Sequence, residues 1–317
     1  MARVLRWGRS AYETPDDMER ERAAAVALGY DWSSVEDRGA PPAGIDDAEV
    51  LVVTSKVRVN EPVLSRFSGG LVLTTTSGTD HIDVVAAHAR GLTVGRCPLA
   101  RRDAVVEHTV GGLIHMLRRN PDLHAATQAG RWARAELPSL APVGLAGLAV
   151  VVVGYGVIGR RAAEVLDALG ADVRVVDPFV SVAPRCAWTL HEALRGAGAV
   201  TLHCALTSSS RGLIGARELH LLAPDAVVVS TARGESLDVA EAARRVHRGQ
   251  LGGLVVDVFP AEPWEDAAPL QHPRILATPH AAGFTRDLGR KVSDEVAATL
   301  ARWREGGSVP HPVLPAP

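Results

Sequence analysis

Strand and helix signals alternate along this chain almost from end to end. Short unbroken runs of β-branched and aliphatic residues suit strands buried on both faces. They fall at residues 48–54, 71–75, 150–153, 173–176, Ala199–Leu202, 226–230 and Gly253–Val256, with shorter candidates at Arg3–Trp7, 92–95 and Ile275–Ala277. Helical segments lie between them at 15–28, 82–89, 104–118, 125–135 and 287–304. Gly29 and Gly91 follow the first two, where a helix C-terminal glycine belongs. Asp103 is placed to cap the third, and 98–102 reads as a crossing point between two parts of the chain. Strands alternating with helices in this way predict parallel α/β sheets.

One segment is more specific. The apolar run 150–153 leads into Gly154, Gly156 and Gly159, spaced G-x-G-x-x-G. Ile158, Ala162, Val165, Leu166 and Leu169 then fall on one helical face, Gly170 ends that helix, and the strand 173–176 ends at Asp177. Strand, glycine turn, helix, strand and terminal acid form the dinucleotide fingerprint of a Rossmann doubly wound sheet. Gly154 permits the tight turn, Gly156 lets the backbone approach a pyrophosphate, and Gly159 lets helix and strand pack closely. The helix N-terminus offers free N–H groups and a favourable dipole to the anion. Asp177 stands eighteen residues past the third glycine. A carboxylate there accepts from both ribose hydroxyls and repels a 2′-phosphate, which favours NAD over NADP.

Bulk properties narrow the rest. A length of 317 residues suggests about two domains. The formal net charge is −2, with Lys and Arg not massed in one block, so neither nucleic acid nor a membrane surface is an expected partner. No apolar run reaches transmembrane length, and the N-terminus lacks the apolar core of a signal peptide. Cys97, Cys186 and Cys204 show no metal or redox spacing and suit a reduced cytoplasm as small buried hydrophobes. No metal site is expected. A Pro-rich tail occupies residues 311–317.

In a Rossmann sheet the ligand lies outside the C-terminal strand ends. The strand 226–230 ends in Thr231-Ala232-Arg233-Gly234, Gly253–Val256 ends in Asp257-Val258-Phe259-Pro260-Ala261-Glu262-Pro263, and Ile275–Ala277 ends in Thr278-Pro279-His280. Taken singly, Arg233, Glu262 and His280 have ordinary readings as a surface arginine, a loop acid and a core or cap histidine. Three consecutive strands delivering an Arg, a carboxylate and a His to one edge point instead to proton-transfer chemistry on an anionic substrate.

These motifs resemble the D-isomer-specific 2-hydroxyacid dehydrogenase family. The likeness runs through SGTDHID at 77–83, VVEH at 105–108, GRW at 130–132, the glycine turn, residues 200–215, STARGE at 230–235, VDVFPAEP at 256–263 and ATPHAAG at 277–283. It implies a flavodoxin-like α/β substrate domain, residues 1–98 with 286–317, beside an NAD-binding Rossmann domain, residues 99–285, with a cleft that closes on substrate. No C-terminal regulatory domain is expected. The implied activity is NAD-dependent, reversible reduction of a 2-oxo acid to a D-2-hydroxy acid by a homodimer. Arg233 would bind the substrate carboxylate and keto oxygen through its planar fork. His280 would protonate that oxygen, and Glu262 would hydrogen-bond His280. The backbone at Ser77 and Gly78 would cradle the carboxylate. The cofactor would be met by Gly154, Gly156, Val157, Ile158, Gly159, Asp177, Pro178, Thr231 and Ala232, with Asp257 on the nicotinamide carboxamide.

Some positions depart from the family pattern. Ala205 replaces a usual proline in the loop expected beside the adenine, and Arg101 and Arg102 replace an Asn and a small residue. Lys56, Arg58, Arg101 and Arg102 are either solvated charges or the lining of a pocket for a second anionic group, a phosphate, phosphonate or carboxylate. Two other functions remain open on sequence: a phosphite-type dehydrogenase, and a non-catalytic NAD-sensing protein of the corepressor kind.

Overall fold

A computed structural model describes residues 1–180, 188–306 and 308–315; Cys186 and the last two residues of the Pro-rich tail lie outside them. The chain divides into two units, Met1–Arg101 with Phe284–Pro317, and Arg102–Gly283. The first unit contains strand β1 (Arg3–Trp7), helix α1 (Pro15–Ala27), β2 (Asp31–Val35), β3 (Val50–Val53), α2 (Glu61–Leu64), β4 (Leu71–Thr74), α3 (Val84–Ala89) and β5 (Thr93–Arg96). Helix α4 (Leu99–Leu117) leads into the second unit, which holds α5 (Asn120–Gln128), α6 (Leu137–Leu140), β6 (Ala149–Val153), α7 (Val157–Ala168), β7 (Asp172–Val176), α8 (Leu190–Leu194), β8 (Ala199–Leu202), α9 (Ala216–Leu221), β9 (Val227–Ser230), α10 (Val239–His247), β10 (Gly253–Val256) and β11 (Ile275–Ala277). Helix α11 (Leu288–Arg304) belongs to the first unit.

All strand pairs are parallel. The first sheet runs β2-β1-β3-β4-β5, the flavodoxin-like order. Its central strands are apolar on both faces because helices cover both: Leu51 and Val53 face one cluster, Val50 and Val52 the other, which includes Val292, Val296 and Leu300 of α11. Edge strand β2, DWSSV, is not legible as a strand from its composition. Its half-exposed, largely polar residues are held by the register Arg3↔Asp31 to Trp7↔Val35 rather than by burial.

The second sheet runs β11-β10-β9-β8-β6-β7. After β7 the order reverses and β8 lies on the other side of β6, which creates a switch point at the C-terminal ends of β6 and β8. Val150 to Val153 are all buried, each stabilising the core by roughly 1.5–3 kcal/mol. Two helices differ from expectation. Helix α4 starts before Asp103, because the carboxylate of Glu295 on α11 accepts from the N–H groups of Leu99 (3.0 Å) and Ala100 (2.8 Å). The cap comes from a distant residue, and the crossing expected at 98–102 is made within a helix, the two units dividing at Arg101 and Arg102. The stretch 125–135 is broken by a turn at Ala129 and Gly130 and resumes as a short 3₁₀ turn, Ala133–Glu136.

Candidate active site

The fingerprint turn sits at the switch point of the second sheet. Gly154 has φ +91°, and a Cβ there would come within 2.6 Å of the Cys204 backbone nitrogen after β8. A Cβ on Gly159 would lie 1.9 Å from the Gly154 carbonyl oxygen, so the start of α7 can approach β6 only with glycine in place. The buried face of α7 is Gly159, Ala162, Ala163 and Leu166, with Ile158 and Val165 packed partly buried against the same core; only Leu169, just past the helix and 46% exposed, leaves the expected face. Gly156 caps α7 without any side-chain bond, and a Cβ there would meet open space. Among the described residues, the N–H groups of Val157, Ile158 and Gly159 have no protein acceptor. A helix terminus left open in this way fits a pyrophosphate.

Neighbouring groups hold the turn. The Asp177 carboxylate accepts from the N–H of Tyr155 (2.6 Å) and of Phe179 (2.9 Å), which fixes both the turn and the segment after β7 that includes Pro178. His203, beside Gly159, is partly buried with its Nε2 enclosed, and burial pushes its imidazole down to about 4. In the loop that carries Ala205, buried Ser210 donates to the Ala205 carbonyl at 2.7 Å and accepts from Thr207 N–H at 2.8 Å. A serine thus folds the loop that carries Ala205 in place of the family's usual proline.

Three adjacent strands of the same sheet, β9, β10 and β11, carry Arg233, Glu262 and His280 on the loops after their C-terminal ends. Nδ1 of His280 lies 2.8 Å from Glu262 Oε2. A carboxylate only accepts, so Nδ1 carries the proton. Glu262 Oε1 accepts from Phe259 N–H at 3.1 Å, which leaves its other oxygen for the histidine. His280 Nε2 has no protein partner among the described residues. Its loop is strained, with His280 at φ 54°, and Asp257 holds it there. Buried Asp257 accepts at Oδ1 from Thr278 Oγ1 (2.6 Å) and Ala281 N–H (2.7 Å), and at Oδ2 from Ala282 N–H (3.0 Å). Thr278 Oγ1 also lies 3.4 Å from His108 Nε2. Both oxygens of Asp257 therefore serve the histidine loop, a use the sequence did not reveal. Arg233 follows Thr231 and buried Ala232, and its Nη1 donates to the Ala232 carbonyl at 2.7 Å.

In the first unit the loop after β4 holds Ser77 and Gly78. Among the described residues, neither backbone N–H has a protein acceptor. Lys56 and Arg58 are exposed, with no ion pair or hydrogen bond among the described residues. Arg101 is engaged: Nη1 donates to the Thr75 carbonyl at 2.6 Å, Nη2 bonds the Tyr12 hydroxyl, and the guanidinium lies 5.1 Å from the Tyr12 ring centroid. Arg102, in the second unit, makes a two-point bond to Asp103.

Sheet order, glycine turn and terminal acid define a dinucleotide-binding α/β protein. The family model described as D-isomer specific 2-hydroxyacid dehydrogenase, NAD binding domain, matches residues 110–282, and the chain belongs to that family. D-3-phosphoglycerate dehydrogenase of Mycobacterium tuberculosis is 29% identical over 288 residues, 89% of this chain and 54% of that protein. The chain spans about half the length of the curated relatives it matches first. Among solved structures, an NADPH-dependent glyoxylate/hydroxypyruvate reductase from Sinorhizobium meliloti in complex with NADP and malonate is 26% identical, with TM-score 0.77, covering 98% of this chain and 96% of the other. D-lactate dehydrogenase from Aquifex aeolicus, complexed with NAD and lactic acid, is 22% identical with TM-score 0.77 over 96% of each chain and shares the fold. No helix among the described residues is long and apolar enough to cross a membrane.

Proposed function

We propose that this chain catalyses the reversible reduction of a 2-oxo acid to a D-2-hydroxy acid with NADH. The observation that carries the reading is the His280–Glu262 pair at 2.8 Å on the strand edge that also bears Arg233 and the open nucleotide turn. Bound NADH supplies the hydride. The remaining work falls to side chains and backbone. Ser77 and Gly78 N–H groups receive the substrate carboxylate. Arg233 binds the keto oxygen and carboxylate and stabilises the charge that builds on oxygen. His280 delivers a proton from Nε2 to that oxygen, and Glu262 holds the ring in place and faces the positive charge the ring carries beforehand. Asp257 keeps the strained His280 loop in register, and Thr231 and Ala232 line the nucleotide side. Residues 1–98 with 286–317 serve the substrate, and residues 99–285 serve the nucleotide.

Lys56 and Arg58 are the candidates for a second anionic group on the substrate, since both are exposed and unpaired among the described residues; Arg101 joins them only by giving up its Tyr12 and Thr75 contacts. A homodimer and a cytoplasmic location belong to the same reading and rest on the family resemblance. The apolar residues of α4, including Val106, Leu113 and Met116, are buried within the second unit itself. Light scattering tests the dimer.

A panel of 2-oxo acids with neutral and anionic tails, assayed with NADH and NADPH, tests the function. Turnover with NADH is expected, with preference for it falling about tenfold in Asp177→Asn, where the charge is lost but an acceptor oxygen remains. Tight NADH binding without turnover of any oxo acid would favour a sensor. Oxidation of phosphite with NAD, and of no hydroxy acid, would favour the phosphite reading.

A further inference from the structure

The loop after β4 is held from behind, carbonyl by carbonyl. Cys97 N–H donates to the Thr76 carbonyl at 3.2 Å. Arg96, the residue before it, donates from Nη1 to the Ser77 carbonyl at 3.2 Å. The Thr75 carbonyl takes Arg101 Nη1 at 2.6 Å, and the Gly78 carbonyl takes Thr76 Oγ1 at 2.9 Å. A trans peptide is planar, with its C=O and N–H pointing opposite ways. A partner on the Thr76 carbonyl therefore aims the Ser77 N–H, and a partner on the Ser77 carbonyl aims the Gly78 N–H. Both are N–H groups without a protein acceptor among the described residues.

Arg96 is unusual in its own right. It ends β5, is partly buried, and has its Nε enclosed without a hydrogen-bond partner. No carboxylate pairs with it among the described residues, and burial lowers its pKa. A guanidinium in this position is costly to bury. Its one side-chain hydrogen bond among the described residues, to the Ser77 carbonyl, polarises the peptide whose N–H faces the opposite way, and strengthens that donor toward an anion.

We propose that Arg96 is a positioning residue for substrate: through the Ser77 carbonyl it aims and strengthens the Gly78 N–H that receives the C1 carboxylate of the 2-oxo acid. The inference rests on the functional reading above. It predicts a binding defect that ignores the substrate tail, because every 2-oxo acid carries the same carboxylate. Arg101 supports the same loop two peptides earlier, but its bond fixes the Thr76 N–H, which turns inward to Thr74 Oγ1 at 3.3 Å. Its loss should matter less for the carboxylate.

The test uses full-length wild type, Arg96→Met, Arg96→Lys and Arg101→Gln. Steady-state constants are measured on a neutral-tailed and an anionic-tailed 2-oxo acid, with oxamate inhibition, NADH affinity by fluorescence, and thermal midpoints. Arg96→Met should raise KM and the oxamate inhibition constant about tenfold to a hundredfold, alike for both tails, with kcat and NADH affinity nearly unchanged. Arg96→Lys, which keeps a charged donor, should recover part of that loss, and Arg101→Gln should raise the oxamate constant less than Arg96→Met. Unchanged oxamate inhibition in Arg96→Met would overturn the inference while leaving the family chemistry intact. So would a loss confined to anionic tails, which would mean direct contact with the tail. If Arg96→Met is unstable, Arg96→Lys decides: an oxamate constant and KM raised a few-fold, KM alike for both tails and with kcat and NADH affinity unchanged, supports the donor role, whereas an oxamate constant equal to wild type, or a fall in kcat and NADH affinity, overturns it. A wild type that binds neither oxamate nor any oxo acid would sink the functional reading and this inference with it.

Discussion

Two turns in this molecule share a topology and have opposite chemistry. Each joins the first strand of a parallel sheet to its first long helix. In the first unit, α1 opens with its own acids. Thr14 and Asp17 form a reciprocal capping box, Pro15 stands at the first position, and Asp16 adds a second acid. The preceding loop is tied down by Glu13, which accepts from Ser10 N–H and pairs with buried Arg6. The Asp17 N–H is capped by the Thr14 hydroxyl, and the Thr14 N–H by the Asp17 carboxylate. In the second unit, α7 opens on bare Gly156, with no acid in its first turn and no capping side chain, beside neutral, partly buried His203. The first turn is satisfied internally and serves stability. The second leaves its donors free, which is what a nucleotide phosphate requires.

The strongest way to break this contrast is to remove the charge beneath the first turn. Arg6→Ala would leave Glu13 and Glu21 buried without their cation. The expected cost is about 3–5 kcal/mol, read by urea denaturation, and it should exceed the cost of Arg6→Met with a simultaneous Glu21→Gln. A loss under 1 kcal/mol would mean the pair is not the anchor of that turn.

The neutral group beside the second turn makes a pH prediction. The His203 pKa is lowered to about 4 by burial, below its ordinary 6.5. The unfolded chain therefore takes up this proton first, and the stability tied to neutral His203 is complete above pH 6.5 and lost as pH falls toward 4. The change is about 3 kcal/mol. His203→Gln should show a shallower fall than wild type over that window; parallel curves would contradict the assignment.

The mildest change converts one turn into the other. Gly156→Asp gives α7 the carboxylate cap that α1 already has, and helix stability should change by only a few tenths of a kcal/mol. NADH affinity should fall about a hundredfold, from repulsion of the pyrophosphate and occupation of its donors. Calorimetric titration with NADH and with adenosine separates the effects, since adenosine carries no phosphate and should lose little.

Much of this was legible in the sequence, for reasons visible in particular residues. Val150–Val153 and the other central strands announce themselves because both their faces are buried. Strand β2 does not, because its residues at the sheet edge are half exposed. The start of α4 was hidden because its cap, Glu295, is far away in the chain. Arg233, Glu262 and His280 could be nominated because strand ends concentrate ligand chemistry and each lies within a few residues of a readable strand. The bonds that position them were not readable. Asp257 clasping the His280 loop, and Arg96 behind Ser77, depend on which backbone atoms face those side chains, and a one-dimensional pattern does not record that.

The central claim is that hydride moves from NADH to the C2 carbon of a 2-oxo acid with His280 supplying the proton. The most direct measurement uses NADH deuterated at both C4 positions, with product analysed by NMR and mass spectrometry. Wild type should give a D-2-hydroxy acid with one deuterium at C2, and His280→Ala should form it about a hundred to ten thousand times more slowly while still binding NADH. Product formed at an equal rate by His280→Ala, or NADH consumed with no deuterium reaching C2, would contradict the account.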